Sequence, residues 1–145
     1  MEQIKEINLK SACELFSKQP SSFKVSSNCM WPFIKKGDAV LVKNCKPQEL
    51  KEGEIIVYRN GDNLFAHRII EIRENNFITK ADMNFKKDRP ISGEQIIGRV
   101  GLVKKGLFKL NLEKRFFKTI NYLLFLLGKL QVKFYSAFKK LSKSH

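Results

Sequence analysis

Residues 26–42, SSNCMWPFIKKGDAVLV, place a thiol at the start of a polar turn that leads into a β-strand. Polar residues precede Cys29, and Pro32 fixes a turn directly after it. A cysteine is most often buried as a small apolar residue, and we interpret Cys13 and Cys45 in that way. The neighbours of Cys29 are poor core formers, so we expect this thiol to be presented at the turn rather than buried.

The chain on either side of this stretch has the pattern of short β-strands. Apolar and polar residues alternate from Phe23 to Val25. Further runs rich in Ile and Val follow, separated by Gly, Asn and Asp: DAVLVK at 38–43, GEIIVYRN at 53–60, LFAHRIIEIR at 64–73, NFITKAD at 76–82 and EQIIGRVGLV at 94–103. The NGDN at 60–63 and the NN at 75–76 are typical of hairpin turns. These patterns predict a mainly β domain with a meander over residues 53–80.

Both ends of the chain have a helical pattern. Apolar residues near the amino end fit a short amphipathic helix, which Pro20 ends. From Leu112 onward, Leu and aromatic residues recur at spacings of three and four with lysines between them, which predicts an amphipathic helix. We therefore divide the chain into an N-terminal helix and lead-in (1–22), a β-rich domain (23–111) and a basic helical tail (112–145).

The positive charge is concentrated in the last 43 residues of the chain, most of which form the tail. Residues 103–145 carry 11 Lys and Arg residues and one acid, Glu113, which gives +10 of the net charge of +14. Within the tail, the longest stretch without charge is residues 119–128, which is short of the roughly 20 residues that a spanning helix needs. Three interpretations remain open: a helix at an anionic membrane surface, a helix docked on the domain or on a partner, and nonspecific contact with nucleic acid. Specific nucleic-acid binding is not expected, because no known nucleic-acid module surrounds the tail.

The cysteines and the amino end indicate the compartment. The three cysteines form no CxxC pair, and no His lies near them at the spacing of metal ligands. The first residues include acids and no unbroken apolar segment, so a signal peptide is not expected. We expect a cytoplasmic protein with reduced thiols, peripheral at the inner face of the membrane if the tail binds lipid, and with no metal or other cofactor.

Three stretches together resemble the signal peptidases and self-cleaving repressors, which share one β-rich serine peptidase fold. The nucleophile box of that family is close to SxSMxP followed by xxxGD, and SNCMWPFIKKGD at 27–38 reproduces it with Cys29 in place of the Ser. AHRIIEI at 66–72 resembles the strand that supplies a His base in the archaeal and endoplasmic-reticulum branch, where bacterial signal peptidases carry a Lys. FITKADMNFKKDRPISGEQIIGRV at 77–100 resembles the third box of that branch, with Ala81 in place of a Gly.

The resemblance, carried over position by position, implies a set of candidate catalytic residues. Cys29 would be the nucleophile and His67 the general base. Asp88 would orient the imidazole, and Asp82 would be a supporting carboxylate. A thiol with a pKa of about 8.5 beside an imidazole with a pKa near 6.5 makes a competent acyl-transfer pair. An oxyanion hole shaped for a hydroxyl nucleophile would nevertheless fit the larger sulfur less well.

The same resemblance implies an oxyanion hole and a substrate-binding turn. The hydroxyl of Ser27 and the backbone N–H of Cys29 would bind the oxyanion. Three residues after the nucleophile would shape the turn and contact substrate: Met30, Trp31 and Pro32. These assignments complete the candidate site.

Each candidate also has a structural interpretation. A single His on a strand, such as His67, is often a surface group or a satisfied core group. Asp82 and Asp88 lie in a polar loop with basic residues, where acids commonly cap turns or pair with Lys and Arg. Trp31 fits a substrate cleft and the edge of the core equally well. The order of three boxes, each with its own functional side chain, favours the catalytic interpretation.

Two functions of different classes follow. The first is an endopeptidase that cleaves a peptide or pre-protein, such as one carrying a leader peptide, through a Cys-His-Asp acyl-enzyme route. The second is a catalytically silent family member that uses the same cleft to bind an extended peptide. In either case the expected partner is a peptide or pre-protein.

Overall fold

The structure, a computed structural model, describes residues 21–142. Within them, eight strands form one sheet and a long α-helix follows. The elements are β1 (Ser21–Lys24), β2 (Ala39–Lys43), β3 (Ile55–Asn60), β4 (Asn63–Arg73), β5 (Asn76–Lys80), β6 (Ile91–Ser92), β7 (Ile96–Lys105), β8 (Phe108–Asn111) and α1 (Arg115–Ser142). The predicted mainly β fold with a C-terminal amphipathic helix is confirmed. The predicted N-terminal helix and Cys13 lie outside the described residues.

The sheet is antiparallel throughout, with the strand order β1-β2-β7-β3-β4-β5-β6 and with β8 paired to β7. Strands β3, β4 and β5 form the expected meander. The β3–β4 turn contains Gly61, whose φ of 60° is available to glycine without a Cβ clash. The β4–β5 turn begins at Glu74, one residue before the NN pair that predicted it. Strand β7 lies between β2 and β3 and so connects the first strands to the meander.

The core lies on both faces of β3, because successive side chains of a strand point to opposite faces. Ile55 and Val57 belong to one apolar cluster, which also contains Met30 from the turn after Cys29. Ile56 and Tyr58 belong to a second cluster. The first cluster, which also contains Phe33 and Ile34, holds the turn of residues 26–34 against β3.

Helix α1 packs on the sheet along one face. Its residues Phe125 and Gly128 are buried, and three more of its apolar side chains pack against the first cluster: Phe117, Ile120 and Leu124. A Cβ at position 128 would lie 3.2 Å from Cε of Lys80, so the missing side chain lets the helix approach the end of β5 closely. Among residues 21–142, no helix is long and apolar enough to cross a membrane.

Candidate active site

Cys29 lies in the turn between β1 and β2. The turn is held by backbone hydrogen bonds, including Trp31 N–H to the carbonyl of Asn28 at 3.1 Å and Ile34 N–H to that of Met30 at 3.0 Å. The backbone N–H of Met83 donates to the carbonyl of Cys29 at 3.0 Å, which ties the turn to the loop of residues 81–90. The thiol is half-buried, so the expectation of a presented side chain is met in part.

His67 lies near the middle of β4 and bridges the thiol and a carboxylate. Its Nδ1 lies 2.7 Å from Oδ2 of Asp88. The imidazole lines the same cleft as the thiol of Cys29, and each of the two groups shifts the pKa of the other. Because Nδ1 is engaged by Asp88, Nε2 is the nitrogen that is available to the sulfur. The structure therefore brings together three predicted site residues from three separate segments, in the order thiol, imidazole, carboxylate.

Asp88 is held by two hydroxyls as well as by the imidazole. Oγ1 of Thr79 donates to Oδ2 of Asp88 at 2.7 Å, and the hydroxyl of Tyr58 donates to the same oxygen at 3.5 Å. The Tyr58 hydroxyl also lies 3.2 Å from Nδ1 of His67. Neither Thr79 nor Tyr58 was predicted from the sequence to belong to the site. Thr79 lies inside the third matched box, which was a usable signal, whereas Tyr58 is an ordinary strand aromatic.

These contacts shift the protonation of all three groups toward an ion pair. Burial alone would lower the pKa of His67, but its hydrogen bonds with Asp88 and Cys29 outweigh burial and raise the pKa to about 9. The hydrogen bond from His67 lowers the pKa of Cys29 against the opposing effect of burial, and Ser27 adds to the lowering. Burial would raise the pKa of Asp88, but the bonded imidazole holds it below its usual value. A thiolate and an imidazolium are thus favoured together.

Of the remaining residues that were predicted near the thiol, two line the cleft and two do not. The hydroxyl of Ser27 donates to Sγ of Cys29 at 3.1 Å, which places it beside the candidate nucleophile. Met30 is buried and lines the cleft next to Cys29. Trp31 and Pro32 are exposed, are joined by a cis peptide bond and do not line that cleft.

The cleft that contains Cys29 and His67 runs between residues 23–27 and residues 63–67. Besides these two side chains, its lining is largely apolar and includes Val25, Ile34 and Ala66. The two walls are the segment that leads out of β1 and the beginning of β4. An extended peptide between them would lie beside two stretches of extended backbone.

Asp82 is engaged by Arg68, the residue that follows His67 on β4. Nε of Arg68 donates to Oδ1 of Asp82 at 2.8 Å, and Nη2 donates to Oδ2 at 2.7 Å. Nη1 of Arg68 also donates to the carbonyl of Gly53 and to Oδ1 of Asn121 in α1, each at 2.8 Å. The structure therefore places Asp82 on the side of the sheet that faces the helix, with Arg68 rather than with the imidazole.

Lys80 is a second buried cation that the sequence analysis did not single out. Its ammonium donates to the carbonyls of Ala81, at 2.8 Å, and of Asn84 in the loop of residues 81–90. It also donates to Oε1 of Gln131 in α1, at 2.9 Å. Burial lowers the pKa of Lys80. Lys80 thus fixes the start of the loop and joins it to the helix.

The described part of the chain offers no group of three or more His, Cys, Asp or Glu side chains placed to hold a metal ion.

Sequence comparison with known proteins identifies the family of this chain. Inactive signal peptidase IA of Staphylococcus aureus, in strains Mu50, N315 and MW2, is 32% identical to this chain over 69 residues. That stretch is 46% of this chain and 40% of each relative, so the chain matches less than half of those proteins. The model of the Peptidase S24-like family matches residues 1–101, which include the turn with Cys29, the strand with His67 and the loop with Asp88. On this match over most of its length, the chain belongs to the Peptidase S24-like family.

Proposed function

We propose that the protein is a signal-peptidase-like endopeptidase that cleaves a peptide or pre-protein with Cys29 as the nucleophile. The observation that carries the proposal is the chain of contacts from the thiol through the imidazole to the carboxylate of Asp88. A nucleophile paired with a base, and a base oriented by a third group, is the arrangement that acyl transfer requires. The arrangement borders a cleft, where a substrate can reach the sulfur.

The contacts support a two-step mechanism. The thiolate of Cys29 attacks the scissile carbonyl carbon, and the imidazolium of His67 donates its Nε2 proton to the leaving amine as the C–N bond breaks. A water molecule, deprotonated by the now neutral imidazole, then hydrolyses the thioester and releases the thiol. Asp88 stays ionised and holds Nδ1–H. Ser27 lies close enough to the sulfur to donate to the oxyanion.

His67, rather than a lysine, is the base in this proposal. Lys80 is the buried lysine nearest in sequence to the loop that carries Asp88, but its ammonium bonds loop carbonyls and Gln131. The hydrogen bond from His67 is the largest influence on the pKa of Cys29. This contrast supports the His-type branch over the Lys-type branch of the signal peptidases.

The cleft supports an extended substrate with compact apolar side chains next to the cut. Its lining includes the apolar residues Met30, Val40 and Val57 near the thiol, and the charged Lys24 on the wall formed by residues 23–27. Peptides bind such grooves by adding a strand, so backbone hydrogen bonds supply affinity and the small pockets supply specificity. A leader or signal segment of a pre-protein has this chemistry.

One observation favours a second function, that of a catalytically silent protein that binds extended peptides. The Staphylococcus aureus relative is named an inactive signal peptidase. A silent protein needs the cleft but not the ordered thiol, imidazole and carboxylate. The contacts of His67 with both Cys29 and Asp88 therefore favour the peptidase.

Candidate peptides encoded beside this protein, incubated with it and followed by intact mass, test the proposal. We expect two product masses from a single cut, and none from the Cys29→Ala variant. Cys45→Ala is the matched control, because Cys45 is also a half-buried free thiol but lies outside the cleft. Peptides that bind without being cut by the unmodified protein at any pH would instead assign the silent function.

A further inference from the structure

The outer face of α1 carries a long apolar stripe. Six large side chains recur along it at spacings of three and four residues, and at 3.6 residues per turn they fall on one face. These residues, called here the outer stripe, are Leu123, Leu127, Leu130, Phe134, Phe138 and Leu141. Each is 50–73% exposed, and together they extend over roughly 27 Å at about 1.5 Å per residue. Apolar patches of this extent on soluble proteins mark interaction sites.

The positive charge of helix α1 indicates which kind of partner the outer stripe would bind. Helix α1 contains six Lys and Arg residues and no acid. Three of the six lie along one flank of the outer stripe at 3.6 residues per turn: Arg115, Lys133 and Lys140. A stripe of Leu and Phe beside a row of bases fits the interface of a bilayer that contains anionic lipids, with the apolar side chains among the acyl chains and the bases at the headgroups.

A second copy of this chain fits the same face less well. Packing the outer stripe of one helix on that of another would bring the two basic flanks near each other, and α1 has no acid to pair with them. Like charges at such a contact oppose binding. A lipid headgroup supplies the opposite charge that the helix lacks.

The inner face of the helix shows that a lipid-bound helix would carry the domain with it. Asn121 accepts a hydrogen bond from Arg68, and Gln131 accepts one from Lys80. Lys129 also pairs with Glu52 at 2.9 Å. The helix is thus fixed to the strands and the loop that hold Asp82 and Asp88, and it does not have to leave the domain for its outer stripe to reach a membrane.

We propose that the outer stripe of α1 binds an anionic membrane surface, with the helix lying in the plane of the interface. The proposal does not depend on catalysis by Cys29. It predicts that the domain is held beside the bilayer, where membrane-bound pre-proteins are found.

Sedimentation of the full chain with vesicles tests the proposal. Vesicles of phosphatidylcholine alone are compared with vesicles in which about a third of the lipid is phosphatidylglycerol. We expect binding to the anionic vesicles, weakened by salt, because charges are screened over about 8 Å at physiological ionic strength. Equal binding to both vesicle types, or binding to neither, would overturn the proposal.

Two double variants separate the apolar contribution to vesicle binding from the electrostatic contribution. Leu130→Ser with Phe134→Ser should weaken binding by roughly tenfold or more, because buried apolar area drives insertion. Lys133→Glu with Lys140→Glu should remove most of the salt dependence. The matched control is Lys104→Glu with Lys109→Glu, which makes the same charge change at two exposed, directly paired residues of β7 and β8 and should bind like the unmodified protein.

Self-association is measured in parallel by light scattering. The Leu130→Ser, Phe134→Ser variant keeps the buried face of α1 intact, so its thermal unfolding should match that of the unmodified protein. If the unmodified chain is a dimer that this variant makes monomeric, and no vesicles are bound, the outer stripe is a contact between copies and the membrane proposal is wrong.

Discussion

His67 and Arg68 are neighbours on β4, and each is paired with an acid of the loop of residues 81–90, yet the two pairs have different surroundings. The pair of His67 and Asp88 borders the cleft, with side chains 10% and 24% exposed and the thiol of Cys29 as a third partner. The pair of Arg68 and Asp82 faces α1, with side chains 1% and 7% exposed. These two successive residues of β4 therefore form their ion pairs on opposite faces of the sheet.

The two pairs therefore suit different roles. The first can exchange protons, and the second supports the fold. An imidazole gains and loses protons near neutral pH, whereas a guanidinium in a protein does not. The first pair can therefore transfer a proton at the cleft. The second pair is surrounded by the carbonyl of Gly53 and the amide of Asn121, and it fixes the loop and the helix to the strand. Both pairs hold the same loop, so their functions are separable by substitution.

Of the two acid-to-amide substitutions, Asp88→Asn is expected to have the larger effect on activity. The amide keeps the shape of the side chain but loses the charge that stabilises the imidazolium and fixes its tautomer, which in a triad costs roughly 10⁴-fold in kcat. Cleavage is followed by mass spectrometry and normalised to the folded fraction. Asp82→Asn makes the same chemical change in the same loop and should retain most turnover per folded molecule. Equal losses in the two variants would remove the distinction between the pairs.

Asp82→Asn is expected to have the larger effect on stability. Leaving the buried guanidinium of Arg68 without a carboxylate should lower the free energy of unfolding by about 3–5 kcal/mol. Urea denaturation measures the change, with Asp88→Asn as the control that should lose less. A change below about 1 kcal/mol for Asp82→Asn would place this pair among ordinary surface ion pairs.

The parts of the candidate site that lie within recognisable sequence motifs were predicted from the sequence. Alternation and turn residues predicted the meander, and the order of the three boxes predicted that Cys29, His67 and Asp88 would meet. The partner of Asp82 was not predictable, because the motif names an acid and not the face of the sheet to which its partner points. Arg68, which directly follows His67 in the sequence, was not identified as that partner.

Tertiary packing explains the other omissions. Lys80 is 1% exposed, against the general rule for lysine, because loop carbonyls and Gln131 of a helix 51 residues away satisfy its ammonium. Trp31 and Pro32 were expected in the substrate cleft, but the turn directs only Met30 into it. Side chains that follow one another in a tight turn point in different directions, and a sequence motif does not encode which of them lines a cleft.

The reactivity of the thiols tests the first pair independently of any substrate. Cys29 and Cys45 are both half-buried and free, but burial raises the pKa of Cys45 whereas the hydrogen bond from His67 lowers that of Cys29. Iodoacetamide should therefore label Cys29 faster than Cys45 at neutral pH, because the thiolate is the reactive form. Peptide mapping across pH measures both rates in one sample.

His67→Ala is the control for that experiment. It should move the labelling profile of Cys29 to higher pH and leave that of Cys45 unchanged. The raised pKa of His67, about 9, means that its imidazolium persists to that pH and is lost above it. Cleavage should accordingly fall as the pH rises through about 9. Equal, slow labelling of both thiols, unaffected by His67→Ala, would show that Cys29 is only a packing residue.

Tyr58→Phe should have the smallest effect, and it tests how far the pair of His67 and Asp88 depends on its surroundings. The hydroxyl of Tyr58 is 3.2 Å from Nδ1 of His67 and 3.5 Å from Asp88, so it is a weaker partner of the carboxylate than Thr79 at 2.7 Å. Its removal leaves the ring packed against Phe65 and should cost about 0.5–1.5 kcal/mol of stability. The pKa of His67 should move little, because Asp88 keeps its bond from Thr79. Titration of the imidazole by NMR measures that pKa. A large fall would mean that the tyrosine, and not Asp88 alone, maintains the protonated imidazole.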